Sequence, residues 1–150
     1  MRALFVLGRV IFGGFFAYNG INHFMHQESM SQYAGAKGVP AAESAVPATG
    51  AMLLAGGASI MAGLKPRQGL AAVIGFLIPV TLQMHRFWEE QDPGKRLTEF
   101  TNFSKNLALV GAALMMLQID EPWPGSIPEL LGEEEMFVRL GGRELRALPA

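Results

Sequence analysis

Two histidines, one arginine and a few amides and hydroxyls carry the chemistry open to this chain. His23, in the run YNGINHF, and His85, in VTLQMHRFW, each stand at the end of a long apolar stretch. Arg9 lies inside the first stretch, and Asn19, Thr81, Arg86, Lys105 and Asn106 are other polar side chains set near apolar runs. A pair of imidazoles suits axial haem ligation or hydrogen bonding to a ligand's carbonyls. Without a third ligand it is a weak zinc site, and the chain has no cysteine to complete one. There is no Ser/His/Asp set, no phosphate loop and no metal-ligand spacing of use. The sequence therefore assigns no catalytic residue and no metal ligands, and it points away from catalysis by this chain alone.

The elements that must hold these groups are apolar segments at about 3–25, 47–64, 69–88 and 98–119. A span needs about 20 helical residues to cross a bilayer core. Half of the 150 residues are hydrophobic and 17% are charged, against about 25% charged in an ordinary soluble domain. Net charge is −1, which leaves no basic footprint for nucleic acid. The fold class expected is all-α: a four-span up-down-up-down bundle, residues 1–119, followed by a polar extramembrane tail, 120–150. Within the tail a short helix near 127–135 and an extended or hairpin piece near 136–148 are expected, and the stretch 26–46 reads as a loop whose end, 41–45, starts a short helical turn leading into Pro47 at a first-turn position. The first segment reads as a retained helix rather than a signal peptide, because it exceeds a usual h-region, contains Arg9 and lacks an A-x-A site.

Alternating passes bring the end of the first span, the end of the third and the start of the fourth to one membrane face. At 100° per residue, Arg9, Gly13, Phe16, Gly20 and His23 fall within about 40° of one line on the first helix. Thr81, His85 and Trp88 share a line on the third. If both lines face the bundle axis, the two imidazoles meet at one cavity mouth, with Arg9 about 21 Å deeper. An arginine in a span costs at least about 2.5 kcal/mol, so Arg9 must face protein, water or an anion. No intramembrane carboxylate is evident to pair with it, since the acidic residues read as loop and tail. In the second span Ala51, Ala55, Ser59 and Gly63 form a small-residue ridge expected to pack against a neighbouring helix. Pro79 is expected to kink the third span, with hydroxyls such as Thr81 meeting the freed carbonyl.

The runs GRVIFGGFFAYNGINHF, YAGAKGVP, VTLQMHRFW and FSKNLALVGAALMML together resemble the DoxX family of four-helix bacterial membrane proteins, including the DoxD-like ones, over 7–117. The positions that match are Arg9, Gly13, Gly20, His23, Gly38, Gly57, His85, Lys105 and Asn106. The resemblance implies a multi-pass protein of the bacterial inner membrane. It associates some members with small subunits of quinol oxidase or thiosulfate:quinone oxidoreductase, and others with membrane complexes that handle oxidative stress.

The leading functional expectation is a membrane subunit of a quinone-linked redox complex. Its candidate pocket residues are Arg9, Asn19, His23, Thr81, His85, Arg86, Lys105 and Asn106, with His23, His85, Arg86 and Asn106 donating hydrogen bonds to quinone carbonyls. The partners would be membrane lipid, quinone, other membrane or peripheral redox subunits, or a second copy in a homodimer. One alternative is a non-catalytic scaffold or a carrier of small molecules or lipid. Another is a bis-histidine haem bundle. The basic turn Lys65–Pro66–Arg67 together with Arg2 favours both termini on the cytoplasmic side.

Overall fold

A computed structural model of the chain describes residues 2–130. These residues are all-helical, with no strand among them: α1 (Arg2–Met25), α2 (Gln27–Ala36), α3 (Ala42–Ala62), α4 (Pro66–Met84), α5 (Pro93–Met116) and α6 (Ile127–Leu130). Three helices, α1, α3 and α4, are long and apolar enough to cross a membrane. α5 is as long as α1, 24 residues, but it carries Lys95, Arg96, Glu99 and Lys105. The expected helix over 127–135 is described only to Leu130, and the expected extended or hairpin piece lies outside the described residues.

The buried residues of α1 are Arg9, Gly13, Phe16, Gly20 and His23, which is the line drawn from helical phase. Opposite them Leu4, Leu7, Ile11, Phe15 and Tyr18 face outward. Lipid is as apolar as these side chains, so it covers them without driving helices together; close packing and polar contacts must do that. Glycines supply the close packing. A Cβ on Gly20 would fall 2.5 Å from Leu54 N and 2.7 Å from Gly50 O, and one on Gly13 would fall 2.6 Å from Gly57 O. α1 and α3 thus touch backbone to backbone along two turns. A second such contact joins α3 to α4, where a Cβ on Gly69 would fall 2.7 Å from Gly56 O. The ridge expected from spacing is not this seam. Ala51 and Ala55 are exposed, the Ser59 hydroxyl donates to Lys65 O at 3.0 Å, and only Gly63 of that set is buried. Side chains as small as alanine fit either face; the seam falls where even a methyl group would clash.

Several boundaries differ from expectation for local reasons. α2 is a helix where a loop was expected: QESMSQYAGA places Ser31 and Ala34 on one face against α3, and the Ser31 hydroxyl donates to Ala42 O at 3.3 Å. α3 starts at Ala42, so Pro47 lies within it and not at its first turn. α4 stops at Met84, and His85 caps it with its N–H on Thr81 O. The Thr81 hydroxyl bonds Leu77 O, one turn back, and does not meet the carbonyl freed by Pro79, which belongs to Gly75. The Asp92 carboxylate accepts from Lys95 N at 2.8 Å and caps α5, with Pro93 at the first helical position.

The start of the expected tail is not a solvated appendage. Trp123 and Ser126 are fully buried. Trp123 meets Phe5 edge-on, with ring centroids 5.5 Å apart, and joins the core of Phe16, Leu53, Ile60, Leu70, Val73 and Leu77. Arg9 holds this segment: its Nη2 donates to Gly125 O at 3.0 Å and its Nη1 to Pro124 O at 3.5 Å. Arg2 and Glu129 pair at 2.8 Å just outside. The cost of burying Arg9 is therefore offset in part by backbone carbonyls that the chain itself folds back, while its Nε has no partner among the described residues.

Candidate functional site

His23 and His85 both line one cavity of about 640 Å³. It sits at the end of the molecule formed by the C-termini of α1 and α4 and the N-terminus of α3, with α2 alongside. Met30, Met52, Phe76, Pro79 and Val80 make most of its wall apolar, and Tyr33, Thr49 and Gln83 add polar groups. A mostly apolar cavity with a few convergent polar side chains is what a small-molecule site requires.

Each imidazole is held by one nitrogen. His23, buried on the α1 seam, has Nδ1 3.1 Å from Val46 O and 3.2 Å from Thr49 Oγ1, and its ring meets Phe76 edge-on at 5.8 Å. Glycine makes this placement possible, because a Cβ on Gly50 would fall 2.7 Å from the His23 Cβ. His85 has Nδ1 2.7 Å from Glu99 Oε2. The other Glu99 oxygen accepts from Lys37 Nζ at 3.1 Å. That bond holds the Lys37 ammonium above its ordinary pKa, against the opposing effect of burial. Lys37 is also fixed by its carbonyl, which accepts from Gln83 Nε2 at 2.8 Å and Arg86 Nη2 at 3.0 Å. The link after α2 is thereby tied to α4 and α5 at one residue.

The remaining sequence candidates do not gather there. Arg9 is at the opposite end of α1, bound to the segment around Gly125. Asn19 turns back on its own helix, with its amide on Phe15 O at 2.7 Å. Thr81 is buried but spends its hydroxyl on Leu77 O. Arg86 stands beside the cavity, occupied with Gln83 O, Lys37 O and Glu89. Lys105 is exposed and Asn106 half-buried, and neither lines the cavity.

Glu99 and Lys37 are the members of this hydrogen-bonded cluster that sequence reasoning missed. The alternation that put Lys105 on this face also puts Glu99 there, six residues nearer the helix start; it stands one residue inside the expected span 98–119, and counting all acidic residues as loop and tail hid it. A second, open depression of about 870 Å³ lies between α2 and the start of α3, lined by Gln27, Glu28, Gln32, Glu43 and Ser44. It is about as apolar as polar, with Val39, Ala41 and Ala42 also on its wall, and contains neither His23 nor His85.

A family model described as DoxX matches residues 4–86, a stretch that includes His23, Lys37 and His85 and stops before α5. No curated protein and no solved structure matches the chain.

Proposed function

The chain belongs to the DoxX family, and we propose that it is a small membrane subunit of a redox complex that binds a quinone-type ring in the His23–His85 cavity. The observation that carries this reading is the cavity itself: about 640 Å³, mostly apolar, at one end of the membrane-crossing helices, with two imidazoles on its wall. A ring with two oxygens and an apolar chain suits such a wall, and the imidazoles serve as its hydrogen-bonding partners. Glu99 behind His85 holds that ring's orientation, as a carboxylate behind an imidazole does.

In this reading α5 is the fourth pass. Its 24 residues extend about 36 Å at the helical rise, which suffices for a bilayer core. Phe100 and Phe103 then stand near the interface with Lys105 snorkelling outward. Both termini lie on the cytoplasmic side, with the basic turn at Lys65 and Arg67, and the cavity opens toward the outer face of the bacterial inner membrane. Other redox subunits, membrane-bound or peripheral, supply the electron transfer.

The test is equilibrium binding of a short-chain quinone, in oxidised and reduced forms, to the purified full chain in detergent. Binding of at least one form, weakened at least about tenfold in His23→Ala and in His85→Ala, supports the reading. No binding of either form removes it and leaves a non-catalytic scaffold.

Haem is the second reading. It is favoured by one observation: both imidazoles tie Nδ1 to a protein oxygen, as metal-ligating histidines do. The absorption spectrum of the protein purified from its membrane separates the two, since a Soret band selects haem.

A further inference from the structure

Which redox form the cavity takes follows from which hydrogens its side chains have already spent. Val46 O is a carbonyl and only accepts, so the His23 Nδ1 at 3.1 Å from it carries the hydrogen. Glu99 is paired with the Lys37 ammonium and is therefore an ionised acceptor, so the His85 Nδ1 at 2.7 Å is a donor too. A neutral imidazole with its hydrogen on Nδ1 has a bare lone pair on Nε2. Nε2 is the nitrogen that each ring has left for a ligand, and among the described residues it has no protein partner.

The neighbouring groups lean the same way. Thr49 gives its hydroxyl hydrogen to Ala45 O at 2.8 Å, and Gln83 gives an amide hydrogen to Lys37 O at 2.8 Å. Both keep an oxygen lone pair. Tyr33 and the second amide hydrogen of Gln83 can still donate, but what the two imidazoles and Thr49 offer is acceptors, the reverse of the expectation that the imidazoles donate to quinone carbonyls.

On the reading that the cavity holds a quinone-type ring, we infer that it selects the reduced, dihydroxy form over the oxidised, dicarbonyl form, and that Glu99 and the Val46 carbonyl are the positioning groups that set this preference. Two ring hydroxyls donate to the two Nε2 atoms. Two ring carbonyls bring lone pairs against lone pairs and leave both partners unsatisfied in an apolar wall. An unmatched buried acceptor is costly, whereas a matched pair is mildly favourable. The inference concerns equilibrium binding, so the oxidant that would consume the bound ring is left to the partner subunits.

The experiment titrates the full chain in detergent, without oxygen, with three ligands that share one alkyl tail: an alkyl hydroquinone, its quinone, and its dimethyl ether. The ether keeps ring and tail but has no hydrogen to donate and no redox chemistry. The hydroquinone is expected to bind at least about tenfold tighter than either of the others. In Glu99→Gln the amide can donate to His85 Nδ1 and move the ring hydrogen to Nε2, so the hydroquinone-to-quinone ratio should fall several-fold, while Glu99→Asp keeps it. Melting temperatures of each variant are measured alongside, and the wild-type comparison of three ligands stands alone if Glu99→Gln does not fold. Quinone or ether binding as tightly as hydroquinone overturns the inference and leaves the quinone-type reading in place. An unchanged ratio in folded Glu99→Gln overturns the part assigned to Glu99. Failure of all three ligands to bind overturns the inference together with the reading beneath it.

Discussion

His85 Nδ1 and Glu99 Oε2 stand 2.7 Å apart, joining the end of α4 to the first turns of α5 through one charge-assisted contact. Glu99 also pairs with Lys37, so the carboxylate ties together three segments that are distant in sequence. Removing it leaves an imidazole hydrogen and a partly sheltered ammonium without an acceptor.

Glu99→Ala is therefore expected to lower stability by about 1–3 kcal/mol. Lys37→Met should cost less, on the order of 1 kcal/mol or below, because Lys37 is the more exposed partner. Thermal unfolding of both single variants and of the double variant in one detergent measures this. Strict additivity of the two losses would show that the residues do not interact.

The pH dependence follows from Lys37, whose ammonium is held above the usual lysine pKa by its bond to Glu99. A cation with a raised folded-state pKa contributes its stability in full below the unfolded value and loses it as pH rises through the folded one. The parent protein should hold its melting temperature up to about pH 10 and fall beyond it. Lys37→Met should show a shallower fall in that range. Parallel curves for parent and variant would refute the linkage.

Gly57→Val is expected to push α1 from α3, because even a Cβ at this position meets Ala17 N and Gly13 O. Overpacking of this kind costs about 1–3 kcal/mol or more where backbone is the obstacle. Gly75→Ala is the control, since nothing lies within 4 Å of its Cβ direction. Melting temperatures in detergent should fall for the first and stay within error for the second.

Arg9→Leu removes the donors that hold Pro124 O and Gly125 O. Trp123 should then leave its fully buried site. In a Trp88→Phe background Trp123 is the only remaining tryptophan, and its emission should shift to the red and become accessible to iodide. Unchanged emission would mean that apolar packing alone holds the segment.

The native chain has no cysteine, so single cysteines report topology directly. If α5 crosses the bilayer, Gln32→Cys and Gly94→Cys should label from one side of the membrane, and Lys65→Cys and Gln118→Cys from the other. Gly94→Cys and Gln118→Cys labelling from the same side would remove the fourth pass.

Helical periodicity made the α1 face legible, because burial on a long helix follows geometry more than chemistry. The meeting of His23 and His85 at one cavity came from counting passes. Three things escaped. Glu99 was hidden because charge near a span boundary reads as loop, and only the fold shows which charges are sheltered. The packing ridge was misplaced because alanine and glycine at fourfold spacing look alike until a backbone approaches within a methyl radius. The Arg9–Gly125 contact spans 116 residues, and no local pattern announces a partner that is a carbonyl, since every residue has one.

The glycine contacts between α1 and α3 leave no slack: Gly13, Gly20, Gly50 and Gly57 interlock main chain with main chain. Those two rods should travel as a single plank. The histidine cavity therefore has one wall that cannot give and another, where α2 and α4 meet through the Lys37 carbonyl and its two side-chain donors, held by bonds that can let go one at a time.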